Sequence, residues 1–470
     1  MKLKKNNAVN RRQFLSSMAA VAGTSVLTDF GFNTASADDG DYKALVCMFF
    51  AGGMDHNDTL MPHDTGDFND LQSARPTMIN AYGSNRDRAA LLPLNSLNDD
   101  ATQGRTFALP PQMSAMRDLF DDGDLSFVGS VGSLIEPVTR ATLDAARLPR
   151  ALFSHNDQQN YFQGLQVEGA QAGWGGQFID ALIANGMAGN NTRFSSISTA
   201  GNQLFSTGRN TSIFEIGGTN IELPRIESST NDLLGSGSHM DEVRSVLRDY
   251  LRNNTRSTNS ILSSDFQAAQ ADNLKAMDMY SEVYNNLPNL STRFRGGRFS
   301  GQFDIVQRSI RASKALGVRR QIFFIHSGGF DTHADQVGRL PVLQQSISDD
   351  LATFASAMKE IDEWNNVTVF SGSDFGRTLV ANGIGSDHGW GTHQFVAGGS
   401  VKGQRIVGKM PRYDVNGNEY TPTGARLIPS VSTEQYAATL GRWFGVDNNS
   451  VDQIMPNLRN FVTRDLDLFS

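Results

Sequence analysis

The chain has 470 residues, with 41 Lys and Arg against 49 Asp and Glu, a formal net charge of −8 at pH 7 and a single cysteine. This acidic balance argues against a nucleic-acid partner and against binding to anionic lipid, and a single cysteine excludes an intrachain disulfide. The length suits one large α/β domain with insertions, or two domains.

Residues 1–37 have the pattern of an export signal. A twin-arginine signature at 10–15 is followed by a modest apolar stretch at 18–27 and by a small-residue cleavage site at 35–37. The apolar stretch is too short for a stable transmembrane helix. We therefore expect a twin-arginine signal peptide that is removed, and a mature chain, 38–470, in the periplasm without a membrane span. Removal takes away five Lys or Arg and one Asp, so the formal charge falls from −8 to −12.

The first predicted element is a buried parallel strand at 43–50, which is apolar almost throughout and contains Cys47. A polar cluster with Asp55 and His56 follows the strand directly. Residues 64–106 are polar with few periodic signals, and we expect them to be irregular. A helix at 111–120, a strand at 125–131, a helix that begins near Ser154 and a helix at 177–185 come next.

An insertion is predicted at about 190–300. Its first part is rich in Ser, Thr, Asn and Gly and is predicted to form strands and loops, whereas the part after residue 239 is largely helical in pattern. We expect this insertion to form a cap or side layer.

The last third contains a clear βαβ unit. Strands are predicted at 321–326 and 367–370, and the helix between them has one apolar stripe with spacings of three and four residues. The stripe consists of Leu340, Leu343, Ile347, Leu351, Phe354, Met358 and Ile361. Such a unit implies a parallel sheet, and a helix at 432–444 closes the chain. The predicted fold class is α/β, with a large mostly parallel sheet and helices on both faces.

The stretch at 371–401 is predicted to be a polar loop between two buried strands. It contains Asp374, Arg377, Asp387, His388 and His393 among several glycines. Carboxylates also accompany histidines at 55–56 and at 331–333. Because the carboxyl ends of parallel strands share one edge, we expect these side chains to converge. Mixed nitrogen and oxygen donors suit zinc or manganese. The alternative is that the aspartates cap turns and the histidines bond to the backbone.

Two further residues are candidates for catalysis. Ser154, at a predicted helix start, is a candidate nucleophile because a helix N-terminus stabilises negative charge; alternatively it is an ordinary N-cap. Arg377 is a candidate for binding an oxyanion, or it pairs with Asp374. The sequence has no G-x-S-x-G elbow, no Walker loop and no G-x-G-x-x-G between a strand and a helix. These absences argue against a serine esterase, a nucleotidase and a dehydrogenase.

Together with the twin-arginine start, the segments FFAGGMDHND, LFSHNDQQ, GGFDTHADQ, SDFGRT and DHGWGTHQFVAGGSVKG resemble an exported bacterial family called domain of unknown function 1501. The resemblance extends from about residue 43 to 445. That family looks like a distant branch of the alkaline phosphatase and sulfatase superfamily. The resemblance therefore implies an alkaline phosphatase-like three-layer α/β sandwich.

The resemblance also implies roles for particular residues. Ser154 would be the nucleophile, and the metal ligands would be Asp55, Asp331, His333, Asp387, His388 and His393. In a hydrolase of this kind two divalent ions would activate the nucleophile, and Arg377 or backbone N–H groups at the helix start near Ser154 would hold the equatorial oxygens. The superfamily spaces its Asp/His pair as D-x-x-x-H, whereas this chain has D-x-H, so that Asp335 occupies the expected offset. Asp374 stands where the family commonly has Glu.

Two hypotheses follow. The first is a periplasmic metal-dependent hydrolase of a small anionic ester, a phosphate or a sulfate. The second is a non-catalytic exported binding or assembly protein that retains the superfamily fold and has another exported protein as its partner.

Overall fold

The computed structural model describes residues 42–98, 102–217 and 261–470, together with residues 242, 246 and 249. The signal peptide predicted at 1–37 lies outside these residues, as does most of the stretch 218–260 within the predicted insertion. Both therefore stay predictions.

The described residues form strands, α-helices and short 3₁₀ turns. The strands are β1 Lys43–Phe50, β2 Met61–Pro62, β3 Leu92–Pro93, β4 Phe107–Leu109, β5 Leu125–Gly132, β6 Ser196–Ser198, β7 Phe214–Glu215, β8 Arg320–Ser327, β9 Val367–Ser373, β10 Arg377–Asn382, β11 Gly385–His388, β12 Thr392–Ala397, β13 Arg405–Gly408 and β14 Val431–Ser432. The helices are α1 Thr65–Ala74, α2 Pro76–Ala81, α3 Ser114–Asp121, α4 His155–Gly164, α5 Trp174–Ala184, α6 Ile261–Asn285, α7 Ser300–Leu316, α8 Gln336–Glu360, α9 Thr433–Phe444 and α10 Asn448–Ile454. The 3₁₀ turns are His56–Asp58, Gly83–Arg86, Arg88–Ala90, Pro111–Met113, Thr192–Phe194, Leu204–Ser206, Trp364–Asn366 and Leu458–Asn460.

One sheet of nine strands organises the described part of the chain. Its order is β13-β5-β12-β9-β1-β8-β6-β7, and β14 also pairs with β5. Strand β1 pairs in parallel with β8 and β9, and β12 runs antiparallel to β5 and β9. The carboxyl ends of β1, β8 and β9 therefore meet at one edge of the sheet, which is where α/β proteins place their sites.

The sheet is buried on both faces, because alternate residues of its central strand enter two different cores. In β1, Val46 and Met48 pack with Leu351 and Phe354 of α8. Cys47, on the other face, belongs to the core that contains Trp174 of α5 and residues of α9. An all-apolar strand that is covered on both sides is what a continuous hydrophobic run predicts. The three-layer α/β sandwich with helices on both faces is confirmed.

Two local predictions were wrong. Residues 64–106 were expected to be irregular, yet they contain α1, α2, two 3₁₀ turns and the short strand β3. The stretch 371–401 was expected to be a loop, yet β9 extends to Ser373 and the antiparallel hairpin β10–β11 follows it. In both places the chain forms short elements that contain too few residues to show a hydrophobic period.

Among the described residues, no helix combines the length and the apolar character that crossing a membrane requires.

Candidate metal centre

Four side chains with nitrogen or oxygen donors meet at the carboxyl edge of the sheet. His155 is the first residue of α4, Asp331 and His333 follow β8, and His388 ends β11. One donor atom each from His155, Asp331 and His388 lie within 4.8 Å of one another. Three distant parts of the sequence thus supply one cluster, which we call the His/Asp centre.

The carboxylate of Asp331 lies in the middle of the His/Asp centre. The Nε2 atom of His155 is 3.5 Å from Asp331 Oδ2. The Nε2 atoms of His333 and His388 are 3.2 Å and 3.4 Å from Asp331 Oδ1, and they are 2.8 Å from each other. All three imidazoles therefore direct the same ring nitrogen at one carboxylate.

The other nitrogen of each ring, Nδ1, faces an oxygen. His155 Nδ1 is 2.6 Å from Asp374 Oδ2, and His333 Nδ1 is 3.1 Å from Asp387 Oδ1. His388 Nδ1 is 2.8 Å from the carbonyl oxygen of Phe153. Carbonyl and ionised carboxylate oxygens only accept hydrogen bonds, so each Nδ1 carries a hydrogen and each neutral ring has its lone pair on Nε2.

Three lone pairs and a carboxylate that face one another repel unless a cation or a proton lies among them. His155 Nε2 is buried and has no hydrogen-bond partner within the described residues. Outer-shell oxygens on Nδ1 with inward Nε2 atoms are the usual arrangement of metal-binding histidines. Ligands bonded at 2.0–2.1 Å in a tetrahedron lie about 3.3 Å apart, which is close to the spacings of His155, His333 and His388 from Asp331. His155, Asp331 and His388 therefore fit one divalent ion, with His333 beside them.

The pKa shifts of Asp331 and His388 favour an ionised acid beside a neutral donor, whereas that of His155 favours a protonated ring. Burial acts to raise the pKa of Asp331, but the hydrogen bond and the charge of Arg377 outweigh it, so this pKa is lowered. Burial lowers the pKa of His388, which favours its neutral form. The hydrogen bond to Asp374 raises the pKa of His155, so a proton would compete with a metal ion at that ring.

A second layer of contacts fixes the ligands. Arg377 is fully buried; its Nη2 donates to Asp331 Oδ1 at 2.7 Å and to the carbonyl of Phe330 at 3.1 Å. The side chain of Asp374 is also fully buried and accepts bonds from Gln159 Nε2 and from the backbone of Gly52.

Gly52, just after β1, permits a close approach to Asp331. Its φ is +118°, and a Cβ atom there would be 2.3 Å from the backbone nitrogen of Asp331. Only glycine fits this position, because both the φ angle and the contact exclude a side chain.

A model of the protein family described as "Protein of unknown function (DUF1501)" matches residues 42–455. The chain belongs to this family. No curated protein shows a significant sequence match to it.

Solved structures similar to this DUF1501 protein are distant. Ps i-CgsB in complex with k-i-k-neocarrahexaose is 11% identical, with a TM-score of 0.29 over 89% of this chain and 77% of that one. The phosphonate monoester hydrolase SpPMH from Silicibacter pomeroyi is 8% identical, with a TM-score of 0.30 over 71% of this chain and 69% of that one. The alkaline phosphatase PafA, solved as a mutant, is 13% identical, with a TM-score of 0.21 over 72% and 63%.

Among the predicted site residues of this DUF1501 chain, Asp331, His333, Asp387 and His388 come together. Asp387 contacts His333 and is an outer partner rather than an inward donor. Arg377 is fully buried and donates from Nη2 to Asp331, whereas its Nη1 has no hydrogen-bond partner within the described residues. The metal role of these residues stays a prediction.

Asp55 and His393 do not join the His/Asp centre. Asp55 is fully buried and forms an ion pair with Arg75 at 2.9 Å. Burial would raise the pKa of Asp55, but Arg75 outweighs burial and this pKa is lowered. His393 Nδ1 accepts a bond from the backbone N–H of Ser130 at 3.0 Å, so its Nε2 carries the hydrogen and has no lone pair for a metal.

Ser154 occupies the N-cap position of α4, half-buried, and its hydroxyl makes no capping hydrogen bond. It lies between Phe153, whose carbonyl holds His388, and His155. Ser154 is therefore adjacent in sequence to two residues that contact the centre, and its hydroxyl does not cap the helix. Asp335, at the offset that the superfamily spacing suggests, is 63% exposed and stands at the N-cap of α8.

Sequence analysis did not identify His155 as a donor or Gln159 as its support. Both residues contact Asp374, and they are four positions apart on α4, where helical side chains share a face. The i,i+4 spacing of an imidazole and an amide beside Ser154 is the signal that could have found them.

Proposed function

We propose that this protein is an exported metal-dependent hydrolase of phosphate or sulfate esters. The observation that carries the proposal is the convergence of three Nε2 lone pairs on the Asp331 carboxylate, each oriented by an oxygen on Nδ1. His155, Asp331, His333 and His388 would hold a divalent ion, with zinc or manganese best suited to these donors.

The charge balance of the centre favours an anionic substrate only when the ion is bound. Asp331, Asp374 and Asp387 supply three negative charges, and Arg377 and Arg426 supply two positive ones. With neutral imidazoles this leaves one net negative charge, which a divalent ion reverses. A metal-loaded centre therefore attracts the anionic group of an ester.

Arg426 is the cation best placed to contact that anion. Its guanidinium stacks on the ring of Phe153 at 4.1 Å, and its Nε donates to the carbonyl of His388 at 2.9 Å. Stacking, this bond and a bond from Nη1 to the carbonyl of Thr423 at 3.0 Å fix the planar group beside the centre, and its remaining N–H groups can donate to phosphate or sulfate oxygens. Arg426 takes the substrate-binding role that sequence analysis gave to Arg377.

Ser154 is the proposed nucleophile. It is half-buried at the start of the ten-residue helix α4, with a hydroxyl that does not cap the helix, and a helix N-terminus stabilises developing negative charge. A bound divalent ion would lower the pKa of the nucleophile and polarise the ester. The twin-arginine signature supports the periplasm as the compartment.

The test uses the chain from residue 38, with matched aspartate variants. We expect about one divalent ion per chain by elemental analysis, and turnover of p-nitrophenyl phosphate or p-nitrophenyl sulfate that a chelator abolishes. Asp331→Asn should lose the ion. Asp335→Asn, four residues away and exposed, should keep both ion and turnover.

Ser154→Ala separates binding from chemistry. It should retain the ion and lose turnover, because it removes the hydroxyl and no donor. If the wild-type chain takes up neither zinc nor manganese, the hydrolase proposal is wrong. An ion without turnover, together with a biological phenotype that Ser154→Ala leaves intact, would instead support the non-catalytic binding protein.

A further inference from the structure

Gln336, the first residue of α8, is a fully buried amide whose hydrogen-bonding groups are all used. Its Oε1 accepts from Thr332 Oγ1 at 2.9 Å and from Ser386 Oγ at 2.6 Å. Its Nε2 donates to Asp55 Oδ2 at 2.7 Å and, more weakly, to Asp58 Oδ2 at 3.4 Å. Two accepted and two donated bonds allow this amide only one orientation.

The two hydroxyls that Gln336 holds belong to the segments that carry the donors. Thr332 lies between Asp331 and His333, and Ser386 directly precedes Asp387 and His388. The backbone N–H of Ser386 also donates to the carbonyl of Thr332 at 3.0 Å. The amide of Gln336 therefore bonds to both segments that carry donors of the His/Asp centre, 331–333 and 386–388.

The other end of Gln336 is anchored in the fully buried ion pair between Asp55 and Arg75. Arg75 also donates to the carbonyls of Thr378 and Leu379 on β10, at 2.7 Å and 2.9 Å. The hydroxyl of Thr378 in turn accepts the backbone N–H of Asp387 at 3.2 Å. Asp55 thus connects the end of β1 to the hairpin that carries His388.

We propose that Gln336 is a positioning residue that transmits the fixed location of the Asp55–Arg75 pair to the donors of the His/Asp centre. This inference rests on the proposed function, since it concerns the affinity of the same centre for its ion. Asp55 then influences the affinity for the ion through Gln336 and is not itself a ligand. This role accounts for the position of Asp55 just after β1.

The chain offers a matched control for a merely structural role. Gln344, eight residues along α8, is equally buried and makes comparable bonds, to the carbonyl of Asp58 and to Thr59 Oγ1 at 2.8 Å and 3.0 Å. It touches neither Thr332 nor Ser386. Loss of a buried amide at either position costs packing and hydrogen bonds, but only Gln336 reaches the donor segments.

The experiment compares Gln336→Met with Gln344→Met in the chain from residue 38. Zinc affinity is measured by competition with a chromophoric chelator, and folding by near-ultraviolet circular dichroism and thermal unfolding of the metal-free protein. Both variants should lose similar stability. We expect zinc affinity to fall about 10- to 100-fold in Gln336→Met, as it does when outer-shell partners are lost, and to be unchanged in Gln344→Met.

Ser386→Ala is a second variant, which removes one bond of Gln336 without altering the amide, and it should weaken zinc binding in the same direction. Equal zinc affinities in Gln336→Met and the wild type, or equal losses in Gln336→Met and Gln344→Met, would overturn the inference and leave the hydrolase proposal standing.

A wild-type chain that binds no zinc or manganese would defeat the proposed function. The inference then depends on the ring signals of His333 and His388 in nuclear magnetic resonance spectra of the metal-free chain. Those signals should move in Gln336→Met and not in Gln344→Met, and signals that do not move would overturn it.

Discussion

Two groups of charged side chains lie at the same edge of the sheet, and they differ in how their hydrogen-bonding capacity is used. In the first, Asp55 pairs with Arg75 and Asp58 pairs with Arg86, and all four side chains are fully buried. In the second, the His/Asp centre, three imidazole lone pairs face the half-exposed carboxylate of Asp331.

The difference separates a structural cluster from a binding site. Each acid of the first group meets a guanidinium, so it needs nothing from outside the chain. In the second group Asp331 also meets a guanidinium, that of Arg377, but the three Nε2 atoms that face Asp331 are not paired with a cation of the described residues. These imidazoles have the orientation that metal-binding histidines adopt. Burial and charge alone would favour Asp55 over His155 as a candidate metal ligand. The direction of the lone pairs favours His155 instead.

The largest expected effect on stability comes from breaking an ion pair of the first group. Arg75→Met leaves Asp55 buried without its cation, and such a change costs about 3–5 kcal/mol of unfolding free energy. Urea denaturation of the metal-free chain measures this loss. Arg117→Met removes an exposed ion pair with Asp118 and should cost less than about 1 kcal/mol. Similar losses in the two variants would contradict our view of the first group.

Glu434 is a buried acid that has hydrogen-bond donors but no cation among its described partners, and changing it should have an intermediate effect on stability. Glu434 is fully buried and accepts bonds from the backbone and side chain of Asn457, at 2.8 Å and 2.7 Å. Burial raises the pKa of Glu434 from 4.5 to about 7, although these neutral donors oppose the shift. Hydrogen bonds without a counter-ion thus leave this carboxyl close to protonation at neutral pH.

The sign of the resulting pH dependence follows from the raised pKa. Below pH 4.5 the glutamate is protonated in both states, and above that pH the unfolded chain releases its proton first. The contribution of Glu434 to the free energy of unfolding therefore falls as the pH rises from 4.5 to 7, and it is constant above pH 7. The stability of Glu434→Gln relative to the wild type should increase by about 1–3 kcal/mol between pH 5 and pH 8. A pH-independent difference in urea unfolding would refute this expectation.

The smallest expected effects come from the outer partners of the His/Asp centre. Asp374→Asn removes a fully buried carboxylate from His155 and should weaken zinc binding about 10- to 100-fold. Asp387→Asn removes a half-exposed carboxylate from His333, so solvent can replace it and the loss should be smaller. Chelator competition measures both. A larger loss in Asp387→Asn would show that burial does not govern the strength of the outer shell.

The fold was largely predictable because its signals are local. The apolar run of β1, the stripe of α8 and the βαβ order around it predicted a parallel sheet with two covered faces, and the structure has both. Residues 64–106 were the weakest prediction, since the pairing of Arg75 with Asp55 and of Arg86 with Asp58 depends on tertiary contacts that leave no pattern in sequence.

The same limit explains the predicted site. Asp331, His333 and His388 follow one another at the predicted edge, and the structure brings them together. His155 reaches them because α4 begins beside the end of β9, where His155 contacts Asp374; the sequence shows only the helix face that His155 shares with Gln159. His393 does lie near this edge, because β12 begins there and runs antiparallel to β9. Its buried ring packs against that of His56 and accepts a bond from Ser130, so it does not join the centre.

The single cysteine of the chain lies at the middle of β1, the central strand, and is fully buried. Burial also raises the pKa of its thiol, so alkylating reagents must wait for the sheet to open. Under native conditions the labelling rate of Cys47 therefore reports the population of globally open molecules. Cys47 is therefore a native probe of global opening. Its labelling rate allows the variants above to be compared with the wild type without an added label.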